Sequence, residues 1–187
     1  MKTFSILALS CLMSLSSIAQ KNAAPAPVSL PLDSITHLVT YENVVPVQGA
    51  SRDVLYKRAL DWFNAYYKNP TEVIRENDAE KGRITGKPRF KIYNPADKEG
   101  TRTDAGTVQY TITLAVKDGK FKYELTEFNW KQPSYYALER WMDTKAQMYT
   151  PVYNHYLTQT DEAVKEIIKN LKTAMTSDKP VKDKDNW

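Results

Sequence analysis

Between Arg83 and Ile92 apolar and polar positions alternate with a period of two. Ile84, Gly86, Pro88, Phe90 and Ile92 fall on one side, and Arg83, Thr85, Lys87, Arg89 and Lys91 on the other. This predicts a strand with one buried face. Pro88 lacks the amide hydrogen that a ladder needs, so the strand lies at an edge or carries a bulge there. The same period runs through YTITLAVKDGKFKYELTEF, Tyr110 to Phe128, where Asp118-Gly119 separates two alternating runs. That dipeptide predicts a hairpin with a type I′ turn, both of whose central residues need positive φ. A two-residue loop pairs Val116 with Phe121, Leu114 with Tyr123 and Ile112 with Leu125 on an apolar face. On the other face it sets Lys117 against Lys120, Ala115 against Lys122, Thr113 against Glu124 and Thr111 against Thr126.

Helical spacing appears twice with clear boundaries. Ser51 offers an N-cap oxygen and Asp53 a first-turn carboxylate to a helix whose Leu55, Ala59, Trp62, Phe63 and Tyr66 recur on one side, with Asn69-Pro70 as its stop. Near the C-terminus Thr160 caps, Asp161 and Glu162 follow, and Val164, Ile167, Ile168, Leu171 and Met175 form one stripe. HLVTYENVVPV, His37 to Val47, reads as a first strand. Val73-Ile74 reads as a second, and the polar run Glu76 to Gly82 as a turn. A further helix is expected from a Ser134 cap, with Leu138, Trp141, Met142 and Tyr149 on one face, ending before Pro151. The order is strand, helix, four strands, helix, with an aromatic-rich insertion from Trp130 to Tyr156. Two amphipathic helices need one apolar sheet face to cover, which places both on the same side and makes the class α+β.

The first 19 residues carry Lys2, an apolar run from Phe4 to Leu15 and a Ser17-Ile18-Ala19 cleavage site, the pattern of a secretory signal peptide. The run is short of the roughly 20 residues of a transmembrane helix, and no later segment reaches that length. Export follows as the expectation, to the periplasm, the outer envelope or the medium. The single cysteine, Cys11, lies within this run. A rival reading makes Ala8-Leu9-Ser10-Cys11 a lipoprotein box, against which stand Ala8 and the continuation of the apolar run past Cys11. Residues 20–36, with three prolines in KNAAPAPVSLP, are expected to be an extended linker. Residues 37–176 form one domain, and residues 177–187 a flexible tail. The formal charge of +4 falls to about +3 once Lys2 is removed, too mild to imply a polyanionic partner from the total alone.

The run VTYENVVPVQGASRDVLYKRALDWFNAYY, followed by GRITGKPRF and the Tyr110–Phe128 hairpin, resembles a secreted domain-of-unknown-function family of Bacteroidetes with a TATA-binding-protein-like fold. The resemblance covers about Val39 to Phe128. It implies a β-α-β4-α architecture around a single curved antiparallel sheet, in the envelope or surroundings of a Gram-negative bacterium. It implies no reaction and supplies no catalytic residues. Nucleic-acid binding does not follow from the fold, because the open face here reads Thr, Lys and Arg rather than apolar and aromatic.

Two surfaces are candidates for recognition of an envelope protein or glycan. The first is the open sheet face, with Arg83, Lys87, Arg89 and Lys91 on one strand and Lys117, Lys120 and Lys122 on the hairpin. Its cations attract phosphates or carboxylates, unless they serve only to keep the face soluble. The second is the aromatic segment, where Trp130, Tyr135, Tyr136 and Trp141 either stack on a ligand or pack as a satellite core. Glu76, Asp78 and Glu80 imitate a calcium loop but lack its glycine and its bidentate glutamate. His37 and His155 have no zinc spacing, and no nucleophile elbow or phosphate loop is present, so no cofactor or metal is expected. The reading is a non-catalytic binding module. A hydrolase acting on envelope polymers is the alternative, and the sequence leaves the oligomeric state open.

Overall fold

The computed structural model describes residues 27–131 and 135–177. Along the chain come β1 (Tyr41–Pro46), α1 (Arg52–Tyr66), the single-turn α2 (Pro70–Val73), β2 (Ile74–Asp78), β3 (Arg83–Gly86) and β4 (Arg89–Tyr93). They are followed by β5 (Asp104–Lys117), β6 (Lys120–Lys131), β7 (Tyr135–Ala137), α3 (Glu139–Met142) and α4 (Val152–Thr176). All strands belong to one curved antiparallel sheet in the order β1-β6-β5-β3-β2. β4 lies against β5 beyond the end of β3, and β7 against β6 beyond the end of β1. The class is α+β, with the expected β-α-β4-α order elaborated by a divided strand and a short β7.

The hairpin register is the one the alternation predicts, from Lys117 opposite Lys120 to Thr111 opposite Thr126. Its turn differs. Gly119 has φ 71°, but Asp118 is not left-handed, so the turn is not type I′. Contacts from outside the hairpin hold the tip instead. Gly119 donates to the Ala50 carbonyl at 2.9 Å and accepts from Val47 N–H at 2.7 Å, and the Asp118 carboxylate accepts from Arg52 N–H at 2.7 Å.

α1 begins as expected, with Ser51 Oγ accepting from Val54 N–H and Asp53 in the first turn. Leu55, Ala59, Trp62 and Phe63 are buried against Ile84, Ile112, Leu114 and Leu125 of the sheet, while Tyr66 stays partly exposed. α4 lies on the same face and buries Val164, Ile167, Leu171 and Met175. The Trp62 indole donates to Asn170 at 2.8 Å and joins the two helices. No described helix packs over the opposite face.

Four expectations are corrected. The strand predicted over Arg83–Ile92 divides at Lys87-Pro88, because Pro88 has no N–H and Lys87 N–H turns away to the Val73 carbonyl at 2.8 Å. The polar run after Glu76 is strand β2 as far as Asp78, since it pairs with β3. The helix expected from Ser134 to Tyr149 is replaced by β7 and the single turn α3. Beyond the end of β1 the edge of β6 is vacant, and β7 pairs there with Tyr136 opposite Trp130. α4 starts at Val152, eight residues before the expected cap, and Thr160 is an interior residue whose hydroxyl bonds the Tyr156 carbonyl at 2.9 Å. Stacking of Tyr153 on Trp141, 5.4 Å apart, supports the added turns.

Part of the expected linker is also packed. Leu30 is 3% exposed, Leu32 bridges Val39, and Val28 N–H donates to Asn154 at 3.2 Å. The leader, Ser134 and all of the expected tail but Ser177 lie outside the described residues.

Gly86 sits where β3 crosses α1, and a methyl group there would meet the Phe63 ring at 2.8 Å and Val73 at 3.2 Å. Gly86→Ala is expected to destabilise the fold by about 1–3 kcal/mol, the usual cost of overpacking. A lowered denaturant midpoint with an unchanged slope is the sign to look for.

Candidate functional site

The site grows out of an irregularity in the longest ladder. Gln109 faces Asn129 and Thr111 faces Thr126, so Glu127 and Phe128 together oppose Tyr110. This is a β-bulge, and Glu127 takes the left-handed conformation at φ 54° that a bulge imposes and that non-glycine residues seldom adopt. The bulge returns Phe128 and Trp130 to the core face and aims the Glu127 carboxylate onto the open face. There it accepts from the Thr111 hydroxyl at 2.6 Å and from Lys87 Nζ at 3.3 Å. Those two donors, Thr111 foremost, hold the Glu127 carboxyl below its ordinary value. A shallow cavity of about 420 Å³ lies here, with Gln109, Asn129 and Tyr135 on its rim.

A larger cleft of about 660 Å³ opens at the division between β3 and β4 and shares Lys87, Gln109 and Tyr110 with the first. Its aromatic lining is Tyr66, Tyr67, Phe90 and Tyr110. The hydroxyls of Tyr67 and Tyr110 are 3.1 Å apart, and burial raises the pKa of both. Lys68, Arg75, Lys87 and Arg89 surround this lining, with Glu72 as the only carboxylate. Pro88 directs its carbonyl to Tyr110 N–H at 3.1 Å.

The residues proposed from sequence separate into groups. Lys87 and Arg89 line the cleft. Lys91 is paired with Asp104 at 2.7 Å, and Lys122 with Glu42 at 2.5 Å and Glu124 at 3.4 Å. Arg83 faces Asp78 across the β2–β3 ladder, and Lys117 sits beside the hairpin turn, so neither joins the cleft. In the aromatic segment Trp141 is 0% exposed and packs against Trp130, Tyr153 and Tyr156. Trp130 donates to the Ala105 carbonyl at 2.8 Å, and Tyr136 is half-buried with the Arg140 guanidinium over its ring. Trp141 belongs to the core, and Trp130 and Tyr136 pack against it. Tyr135, 65% exposed, stands at the rim of the outer cavity.

Sequence reasoning missed Lys68, Arg75 and Glu127. Lys68 and Arg75 flank the α1 stop and reach the cleft only because β2 lies beside β3. Glu127 had a signal. Phe121, Tyr123 and Leu125 are odd-numbered and Phe128 and Trp130 even-numbered, a change of parity that an inserted residue explains.

Residues 41–131 match the model of a family described as a domain of unknown function (DUF4468) with TBP-like fold. This segment belongs to that family. Among solved structures, a DUF4468 family protein from Bacteroides ovatus is 17% identical with a TM-score of 0.63, covering 81% of this chain and 93% of its own. A TBP-like protein from Parabacteroides distasonis is 15% identical with a TM-score of 0.56, covering 75% and 94%. No curated protein matches the chain. At such identities the likeness is one of fold. The DUF4468 segment runs from β1 to the end of β6 and holds the whole lining of the cleft except Ile167, and of the outer cavity except Tyr135.

No group of His, Cys, Asp or Glu able to hold a metal occurs among the described residues, and no described helix is long and apolar enough to cross a membrane.

A carboxyl group with a lowered folded pKa contributes stability above its unfolded value and loses it as pH falls through the folded one. Glu127 of the DUF4468 segment has an ordinary value of 4.5. The melting temperature of the native protein is therefore expected to exceed that of Glu127→Gln near neutral pH, and the gap to close progressively below about pH 4.5. Paired thermal melts across that range measure it, and a gap independent of pH would contradict the assignment.

Proposed function

We propose that this protein is an exported, non-catalytic binding module that takes an anionic envelope component, protein or glycan, in the cleft at Lys87-Pro88. One observation carries the reading. Three cations without a carboxylate partner among the described residues, Lys68, Arg75 and Arg89, gather around one aromatic lining, whereas Lys91 and Lys122 on the sheet are paired and other unpaired cations of the sheet, such as Arg83, Lys117 and Lys120, lie outside this cleft. Unpaired like charges held around an aromatic lining repel one another, and an anion that enters relieves that repulsion while its apolar part covers the rings. The N-terminal leader supports export.

A hydrolase that cleaves glycosidic bonds with paired carboxyl groups needs one of them at a raised pKa to act as general acid. The displaced carboxyl groups here, Asp33, Asp78, Asp104 and Glu127, are all lowered by hydrogen bonds. This favours the binding reading over the catalytic alternative.

Titration of the purified protein with polyglutamate and polygalacturonate, at low and moderate salt, tests the proposal. Binding is expected to weaken with salt and to fall at least about tenfold, or ~1.4 kcal/mol, in a Lys68→Ser, Arg75→Ser, Arg89→Ser variant. Exposed positions of this kind change stability by no more than about 0.5 kcal/mol each, so the variant should melt nearly as the native protein does. Equal affinity for the two proteins, or no binding of either polyanion, would sink the reading.

A further inference from the structure

Among the described residues β4 has one strand partner, β5. It pairs with β5 through Arg89–Gln109, Phe90–Val108, Lys91–Thr107 and Ile92–Gly106. Because Tyr110 N–H bonds the Pro88 carbonyl, the positions in phase with Pro88, namely Phe90 and Ile92, exchange bonds with β5. The backbone N–H and C=O groups of Arg89, Lys91 and Tyr93 therefore point away from it. Along β3 the corresponding lane is filled by β2, and the last bond across it is Lys87 N–H to Val73 O. Beyond that point no strand occupies the lane.

The far end of the lane is closed in an informative way. The Gln159 side chain of α4 accepts from Tyr93 N–H at 3.0 Å and donates to Tyr93 C=O at 2.8 Å. This is the bond pair that a neighbouring strand would supply, provided by a primary amide. Between that amide and Val73 the edge groups of Arg89 and Lys91 have no partner among the described residues, and the cleft with Lys68, Arg75, Lys87 and Arg89 lies alongside.

We propose that this lane receives an extended acidic peptide, which adds a short antiparallel strand to the free edge of β4, so that the residues directly opposite Arg89 and Lys91 exchange both backbone bonds with them. The inference rests on the cleft reading above and names its ligand class. Residues of the added strand opposite Arg89 and Lys91 direct their side chains to the open face, as those two do, so acidic residues at these positions meet the unpaired Arg89 and the neighbouring Lys87. The intervening residues turn toward Phe90 and the aromatic lining, so they are apolar. An alternating acidic–apolar sequence satisfies both faces. Glu72 is the one carboxylate at the cleft to oppose it.

The probe is a labelled hexapeptide alternating Glu and Val, compared with two forms of it N-methylated either on the Glu or on the Val amides. Methylation removes the donor on one edge of the strand and leaves charge and side chains in place. Anisotropy titration of the full chain is expected to show binding of the parent and of the Val-methylated peptide, and at least about tenfold weaker binding of the Glu-methylated one. Hydrogen exchange should show the Arg89 and Lys91 amides becoming protected. If all three peptides bind alike without protection of those amides, strand addition is overturned while the anionic cleft stands. If no peptide binds but polygalacturonate does, the peptide assignment alone fails, and if nothing anionic binds, both readings fail. A protein that is dimeric by itself, with both amides already protected, assigns the lane to a second copy and overturns the proposal.

Discussion

A strand with a period of two cannot present Phe121, Tyr123, Leu125, Phe128 and Trp130 to one core without an extra residue, and that constraint organises the molecule. The register set at the hairpin turn places odd-numbered residues of β6 inward, which would leave Phe128 and Trp130 in solvent. Burying an aromatic side chain of this size is worth about 1.5–3 kcal/mol. A non-glycine residue in the left-handed region costs of order 1–3 kcal/mol. Two aromatic rings against one strained backbone decide the matter in favour of the bulge. Phe128 then stacks on Tyr110, and Trp130 meets Trp141 to extend the core beneath α4.

The same bulge shapes the open face. Tyr110 is opposed by two residues on β6, while on its other side Pro88 offers a carbonyl and no N–H. Irregularities on both flanks of one residue coincide with both cavities. Glu127 is turned outward to take Lys87, which stands at the cleft's margin. Strand division at Pro88 leaves the β4 edge without the neighbour that β3 has. Edges of this kind are commonly blunted by lysine or proline. Here the residues that protect the edge from random pairing also give it a positive charge.

Electrostatics on the open face is mostly local. Lys91, Lys122 and Lys87 each have a carboxylate within 3.3 Å, and such exposed pairs contribute little stability. Their effect is to cancel part of the charge on the open face, while Lys68, Arg75 and Arg89 around the cleft keep theirs, as do Arg83, Lys117 and Lys120 away from it. A count of lysines along one strand therefore overstates the net charge of that face.

The amino-acid sequence by itself determined the alternation of the hairpin, its register over Thr111–Thr126, the capped start of α1 and the apolar stripe of α4. Each is set by residues a few positions apart, through side-chain direction and capping, and needs no knowledge of the rest of the chain. An edge or bulge at Pro88 was also legible, since a missing N–H is a property of the residue, although the division of the strand into β3 and β4 was not. Tertiary structure decided what long-range neighbours decide: that β2 lies beside β3 and brings Arg75 to the cleft, that Lys91 meets Asp104 and Lys122 meets Glu42, and that Trp141 is core. It also converted the expected helix after Ser134 into β7 and α3 and lengthened α4 back to Val152, because the vacant edge of β6 and the rings around Trp141 outweigh local helical spacing. Hydrogen-bonding edges and buried rings are satisfied by whichever segment the fold brings within reach, and sequence spacing holds no record of that choice.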